Sequence, residues 1–170
     1  MASATLNLAA GQKAERKLEM HFINVGTSDT PEWELLGRGV EDASMEFNHD
    51  ANQVTDILGI TDVDVSAAKP TLELSPNTIR AGQKLSEKLL DIERRNATSE
   101  LSTFEVLNVH CYLGQTSAFA AEKHENCTVV PSSLGGSDYV GMPIQVYLSN
   151  DKTLGTVAIA DGKPTFTAAE

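Results

Sequence analysis

The sequence is poor in aromatic residues and in cysteine. Aromatic side chains make up 5% of its 170 residues, which leaves little material for an aromatic-lined ligand pocket or a base-stacking surface. Cys111 and Cys127 are its two cysteines. Two cysteines do not make a disulfide framework in a chain of this length, so we expect both to be reduced thiols of a cytosolic protein.

Basic residues are outnumbered by acidic ones. Lys and Arg total 13 and Asp and Glu total 24, which gives a formal net charge of −11. A protein this acidic repels phosphate backbones, so sequence-independent binding of nucleic acid is disfavoured. In most acidic domains the charge serves solubility. An acidic surface would also let DNA pass without adhering to it.

Long apolar runs are missing too. No segment has the unbroken apolar length of a membrane span, and residues 1–12 contain no apolar signal core. We therefore predict a protein that is made in the cytoplasm, is not exported through a cleaved signal and has no membrane partner. The small and polar residues 1–12 predict a flexible arm, and residues 13–170 predict a single domain.

Catalytic and cofactor motifs are absent as well. The sequence has no G-x-S-x-G, no P-loop, no G-x-G-x-x-G opening a helix and no H-E-x-x-H. His124 and Cys127 have the spacing of half a zinc site, but the adjacent His110 and Cys111 would point to opposite faces of a strand. We predict no catalytic, cofactor-binding or metal site. The thiols are then buried and the histidines lie on the surface.

What the sequence does contain is β-strand alternation. The segment Gln53–Ser66, interrupted at Gly59, predicts a hairpin. In its second strand Val63 and Val65 share one face while Asp62 and Asp64 share the other, which predicts one buried and one solvated face. The next strand repeats the pattern with Leu72 and Leu74 inward, so the acidic residues predicted to face solvent are Asp62, Asp64 and Glu73.

One segment has helical periodicity. From Gln83 to Arg95 the apolar residues Leu85, Leu89 and Ile92 recur at the spacing of one helix face, and Asn96 follows as a terminator. We expect these three side chains to pack on a sheet.

The second half of the chain returns to strands. Predicted strands cover 103–113, 144–148, 154–160 and 163–167, with a tight turn at Asp161–Gly162 and a polar loop at 115–126. Many strands and one helix predict a mainly β fold, an antiparallel sandwich or barrel with the helix packed on it.

Three segments resemble the major tail proteins of long-tailed bacteriophages. They are VTDILGITDVDVSAAKPTLEL from Val54, RAGQKLSEKLLDIERRN from Arg80, and GMPIQVYLSNDKTLGTVAIADGKPTFT from Gly141. The first is similar to an extended hairpin of that family and the second to the helix that follows it. These are structural patterns, and none is a catalytic signature.

The resemblance implies a β-sandwich or barrel of the tail tube type, and a structural protein that is not an enzyme. Subunits of that family form homohexameric rings that stack into a hollow tube in the virion tail, assembled in the host cytoplasm. The implied partners are other copies of the chain, the tape measure protein, the tail terminator and baseplate or tail-tip proteins. DNA passes through without specific binding during ejection, and Asp62, Asp64 and Glu73 are candidates to face the lumen.

Other interpretations stay open. A different virion component, such as a decoration or head–tail joining protein, would share the strand-rich character and the lack of a site. A small cytosolic β-sandwich binding module is a second alternative, although few aromatics are present to stack on sugars. The third is a cytosolic hydrolase that uses Cys111 with His110 or His124.

Overall fold

The computed structural model of the protein describes residues 5–169. Its strands are β1 (Glu19–Asn24), β2 (Trp33–Leu35), β3 (Met45–Glu46), β4 (Ala51–Thr55), β5 (Thr61–Val65), β6 (Thr71–Leu74), β7 (Phe104–Gln115), β8 (Ala118–Pro131), β9 (Ile144–Tyr147), β10 (Lys152–Ala160) and β11 (Lys163–Ala168). The α-helix α1 spans Lys84–Arg95, and short 3-10 turns lie at Arg16–Leu18 and Thr98–Ser102.

Most strands form one antiparallel sheet that curls into a half-barrel. Its order is β2-β1-β7-β8-β9-β6-β3, and β10 pairs with β8 while β11 pairs with β10. Strands β4 and β5 form a separate two-stranded sheet. The mainly β, antiparallel fold with a single helix that the sequence predicts is therefore confirmed.

The long strand β8 corrects one prediction. Residues 115–126 were expected to form a loop, because their composition is small and polar, but β8 begins at Ala118. Its first half pairs with β7 on one side and β10 on the other, and its second half pairs with β7 and β9. Hydrogen bonds to neighbours on both edges outweigh the weak strand preference of these residues.

The helix covers one of two hydrophobic clusters. Leu85, Leu89 and Ile92 are 3%, 0% and 1% exposed and pack in a cluster with Leu74 and Val106 of the sheet. The helix ends at Asn96, whose left-handed φ of 55° lets the N–H groups of residues 96 and 97 bond back to the last turn. The second cluster lies on the other side of the sheet and holds Phe22, Leu107, Val109, Cys111, Ala121 and Val157.

The hairpin of β10 and β11 turns at Asp161–Gly162, as the sequence predicts. Asp161 and Gly162 both have positive φ, 51° and 74°, as a two-residue turn between right-twisted strands requires. Among the described residues no helix is long and apolar enough to cross a membrane.

The arm predicted at 1–12 is described only from Thr5. Leu6 bridges to Leu113 near the end of β7, and the amide of Asn7 donates to the carbonyl of Tyr112 at 3.0 Å. Residues 1–4 lie outside the described part of the chain.

Candidate functional site

The β4–β5 pair, together with its turn, forms a ribbon of residues 51–65 that stands apart from the main sheet. Every residue from 46 to 65 is exposed, including the large aliphatic side chains of the ribbon. A segment this long with neither face covered is unusual, because isolated two-stranded hairpins are only marginally stable in water. The exposed apolar side chains of the ribbon therefore make it a candidate surface for binding a partner.

The tip of the ribbon is organised by Asp56. Its Oδ1 accepts hydrogen bonds from the backbone amides of Leu58 at 2.8 Å and Ile60 at 2.9 Å, and its carbonyl accepts from the amide of Gly59 at 3.1 Å. Gly59 supplies the positive φ of 78° that the turn needs. This turn holds Ile57 fully exposed and Leu58 79% exposed.

Hydrogen bonds also fix the base of the ribbon. The amide of Ser66 donates to the carbonyl of Asp50 at 2.8 Å, and the amide of Asp50 donates to the Ser66 hydroxyl at 2.9 Å. Lys69 Nζ lies 2.9 Å from Asp50 Oδ2 and lowers the pKa of that carboxyl. The side-chain amide of Asn48 donates to Lys69 and Thr71. The ribbon is thus an ordered element in spite of its exposure.

The two faces of the ribbon differ in charge. Directly paired residues share a face, so Asp62 and Asp64 lie with Val54 and Asn52, whereas the opposite face is uncharged. That uncharged face carries Ala51, Gln53, Thr55, Thr61, Val63 and Val65. The separation of Val63 and Val65 from the aspartates agrees with the alternation in the sequence.

The prediction that Val63 and Val65 face a core within the chain is wrong. They are 57% and 61% exposed, because the ribbon leaves the sheet and no other element packs on it. Glu73 is exposed on β6 of the main sheet, opposite Gln145 of β9, whereas Asp62 and Asp64 lie on the ribbon. The three carboxylates therefore belong to two different sheets.

A polar cluster lies where β1 pairs with β7. His110 Nδ1 lies 2.8 Å from Glu19 Oε2, and the Tyr112 hydroxyl donates to the same oxygen at 2.7 Å. The hydrogen bond that His110 donates to Glu19 raises the pKa of His110. Burial alone would raise the pKa of Glu19, but His110 lowers it overall. Each partner therefore favours the charged form of the other.

A second charged group lies on β8. His124 Nδ1 donates to the carbonyl of Ser149 at 2.7 Å, and its Nε2 lies 3.4 Å from Glu122 Oε2, too far for a well-formed hydrogen bond. Lys152 Nζ lies 3.2 Å from the same oxygen. The contact with His124, followed by the charge of Lys152, lowers the pKa of Glu122.

These contacts correct the interpretation of the histidines. His21 and His124 are 3% and 2% exposed, so they are not surface residues. His21 follows Met20 and precedes Phe22 within a strand, and it is paired through its Nδ1 with Asn108 Oδ1 at 2.8 Å. Sequence periodicity alone does not tell a paired core histidine from an exposed one.

The cysteines are buried in two different hydrophobic clusters. Cys111 belongs to the cluster under Phe22 and Cys127 to the cluster under the helix, and burial raises the pKa of both thiols. Nδ1 of His110 contacts Glu19, and Nδ1 of His124 contacts the carbonyl of Ser149. Over residues 5–169 no group of three or more His, Cys, Asp or Glu side chains is arranged to hold a metal ion.

Free sheet edges are another exposed feature. The main sheet ends at β2, β3 and β11, each with one partner strand. Strand β11 carries no charged residue after Lys163, and Pro164 lacks an amide donor. Edge strands without charge are templates for pairing with another strand.

Solved structures similar in fold to this chain include components of contractile injection systems. The chain is similar to a component of the anti-feeding prophage cap that terminates its tube, with 13% identity, a TM-score of 0.50 and 92% and 99% of the two chains covered. It is also similar to a chain of the PVC sheath/tube terminator in the extended state, with 11% identity, a TM-score of 0.53 and 86% and 99% covered. It is similar as well to a chain of the six-fold symmetrised anti-feeding prophage baseplate, with 11% identity and a TM-score of 0.52. That match covers 86% of this chain and 97% of the other.

At these identities the likeness concerns the fold. No family model matches the sequence, and no curated protein matches it.

Proposed function

We propose that this chain is a structural subunit of a phage or phage-like tail, in which homohexameric rings stack into a hollow tube for DNA delivery. The ribbon is the observation that carries the proposal. Hydrogen bonds of Asp56 and Asp50 order its tip and its base, yet more than half of the surface of each of its large aliphatic side chains is open to water. A second copy of the chain would cover them and recover the hydrophobic free energy that the monomer forgoes.

The sheet edges support ring closure. A half-barrel leaves edges at β2, β3 and β11, and joining edges between copies would remove the unpaired backbone groups. Ring stacking is a heterologous contact that does not close, so it would produce a filament. The fold shared with tube-terminating and baseplate components of injection systems agrees with a subunit of such an assembly.

The acidic face of the ribbon supports a hollow tube that carries DNA. With Asp62 and Asp64 on one face and uncharged residues on the other, one face can meet a neighbouring copy while the other stays in water. If that wet face and Glu73 line the lumen, repulsion would hold phosphates off the wall. Within the tail, the tape measure protein, a tail terminator and baseplate or tail-tip proteins would be the further partners.

A terminator or head–tail joining protein is the second candidate. Two of the similar structures are described as a tube-terminating cap and a sheath/tube terminator. Such a protein would form one closed ring, because a terminator must stop the stacking that a tube subunit continues.

Electron microscopy of negatively stained protein, purified and concentrated, separates the two candidates. A tube subunit gives hollow tubes of stacked rings, whereas a terminator gives single rings. A species that stays strictly monomeric in sedimentation, even with other tail proteins present, would contradict both.

A further inference from the structure

The half-barrel is open between β2 and β11. These two strands are the ends of the run β2-β1-β7-β8-β10-β11, and within residues 5–169 neither pairs with a second strand. Both reach the second cluster, β2 through Trp33 and β11 through Phe166. Trp33 and Phe166 are only partly buried, and Leu35, which shares a face with Phe22 of the cluster, is 48% exposed. The side between the two edges, which we call the opening, therefore exposes apolar surface.

Backbone groups at the opening are directed toward a further strand. In both edge strands, the amide of the residue that follows the strand donates to the partner strand. Because these directions alternate along an antiparallel strand, the N–H and C=O groups of Phe166 and Ala168 point away from β10, and those of Trp33 and Leu35 point away from β1. Pro164 has no N–H, so β11 can pair best around Phe166 and Ala168. Each edge can thus accept one strand.

Two further strands would close this run into a barrel. The run has six strands, and eight strands enclose an interior that side chains just fill. An insert of two strands needs a free edge on each side and an uncharged face toward the cluster. The ribbon has both features, because β4 and β5 pair only with each other and one of their faces carries Val63 and Val65 without any charge. Asp62 and Asp64 lie on the opposite face, away from the cluster.

The charges on the inner face of the six strands are paired with one another. This face carries Glu105, Lys123 and Glu125 beside the cluster, at the end where Asn24 donates to Glu105. Lys123 Nζ lies 3.3 Å from Glu105 Oε1 and 2.9 Å from Glu125 Oε1. An uncharged ribbon face can therefore cover the cluster without leaving a buried charge unpaired.

We propose that the ribbon of one copy docks in the opening of a second copy, with β4 and β5 between β2 and β11 and with Val63 and Val65 toward the cluster. The inference rests on the proposed function and names the contact that joins neighbouring copies. Asp62 and Asp64 then stay in water, as residues that face a lumen would. The ribbon is already ordered by its own hydrogen bonds, which spares part of the ordering cost of binding.

The occupant is a second copy because the ribbon is exposed on both faces in its own copy. Addition of strands to a free sheet edge takes its affinity from backbone hydrogen bonds and its specificity from alternate side chains, and the ribbon supplies both. The donor and the acceptor are different parts of the chain, so the contact is heterologous and can repeat from copy to copy. Docking also brings the exposed tip, with Ile57 and Leu58, against the second copy.

Two valines of the ribbon give a matched test. Val63 and Val54 are 57% and 54% exposed and lie on opposite faces. Val63→Lys charges the docking face and should raise the critical concentration for assembly, measured by sedimentation, at least about tenfold, which corresponds to about 1.4 kcal/mol. Val54→Lys charges the face that stays in water and should leave that concentration unchanged.

Both valine variants should keep the urea midpoint of the unsubstituted protein, because no other element packs on the ribbon. Equal critical concentrations for Val63→Lys and Val54→Lys would overturn docking through the uncharged face and leave the tube function standing.

Trp33 reports on the acceptor side, because it is the single tryptophan of the chain and lies at the opening. On assembly its fluorescence should shift to shorter wavelength and its quenching by acrylamide should fall, since a docked strand covers it. Val63→Lys at the same concentration should keep the emission of the monomer. Assembly of the unsubstituted chain with unchanged emission and quenching would overturn the opening as acceptor and leave the tube function standing. If that chain forms neither rings nor tubes, both proposals fail together.

Discussion

The sheet body and the ribbon are built from similar residues under opposite conditions. In the body, alternating side chains pack against α1 or against the second cluster, and Leu72, Leu74 and Leu89 are fully buried. In the ribbon, the same alternation produces Val63 and Val65 with nothing above them. Hydrophobic burial stabilises the body, whereas hydrogen bonds at the tip and base order the ribbon.

The difference shows that strand patterning indicates which faces are apolar but not which partner covers them. A valine of β5 and a leucine of β6 satisfy the same period-two rule, yet one is exposed and the other is buried. The body is complete within one chain. We propose that the partner of the ribbon comes from another molecule.

The largest expected effect is on the free energy of unfolding, which should respond differently to substitutions in the body and in the ribbon. Leu89→Ala leaves a cavity between α1 and the sheet and should lower the free energy of unfolding by roughly 2–5 kcal/mol. Leu58→Ala removes the same side chain from a site that is already in water and should change it by less than about 0.5 kcal/mol. Urea denaturation of both variants measures this, and similar losses would contradict the division between body and ribbon.

The second effect is on assembly. Ile57→Asp places a charge on the ribbon tip and should abolish tubes or rings while the urea midpoint stays that of the unsubstituted protein, because the side chain makes no contact within the monomer to lose. Sedimentation velocity and urea denaturation are measured on the same sample. Leu154→Asp makes a matched change at another exposed aliphatic residue and should leave assembly intact. Equal assembly of both variants would contradict a role for the tip.

A smaller effect concerns pH and the body alone. The pKa of His110 is raised by Glu19, so its contribution to stability is present below the unfolded pKa of about 6.5 and is lost as pH rises through the higher folded value. Burial lowers the pKa of His21, so its effect on stability has the opposite sign. His21 reduces the free energy of unfolding only as pH falls below about 6.5. The charged or titratable groups around His110 are Glu19, Tyr112, Glu122, Lys152 and His21.

The free energy of unfolding of the unsubstituted protein and of His110→Gln is measured by urea denaturation from about pH 6 to about pH 9. The stability difference between them should narrow as pH rises. A difference between the protein and His110→Gln that is constant with pH would contradict a proton held between β1 and β7.

The prediction with the smallest expected effect on structure concerns the acidic residues proposed to face the lumen. Replacing Asp62, Asp64 and Glu73 together with Lys should leave tubes able to form but make the channel adhere to DNA. Repulsion from these groups would act over a Debye length of roughly 8–10 Å at physiological salt. Assembled particles should eject DNA slowly, with partial recovery at higher salt. Normal ejection from well-assembled particles would refute the lumen assignment and leave the tube proposal intact.

Much of the body follows from local signals. The apolar spacing of Leu85, Leu89 and Ile92, the left-handed Asn96 and the Asp161–Gly162 turn each have a short-range physical cause, and the structure has the helix and the turn at these places. Strand β8 could not be predicted in the same way. The residues from Ala118 onward have weak strand preference and become a strand because two neighbours, distant in sequence, bind its edges.

The candidate site could be predicted only in part. The Gln53–Ser66 hairpin and the opposite faces of Asp62 and Val63 follow from alternation. Alternation does not predict that the hairpin leaves the sheet, because its exposure depends on where β3 and β6 end. The pairing of His110 with Glu19 depends on tertiary geometry, because it joins β7 to β1 across 91 residues of sequence.

The most direct test of the central claim is the appearance of the concentrated, purified protein in negative stain, compared with the Ile57→Asp variant. The account predicts hollow tubes of stacked hexameric rings for the unsubstituted chain and none for the variant. Monomeric particles from the unsubstituted chain, or tubes from both proteins, would contradict assembly through the ribbon.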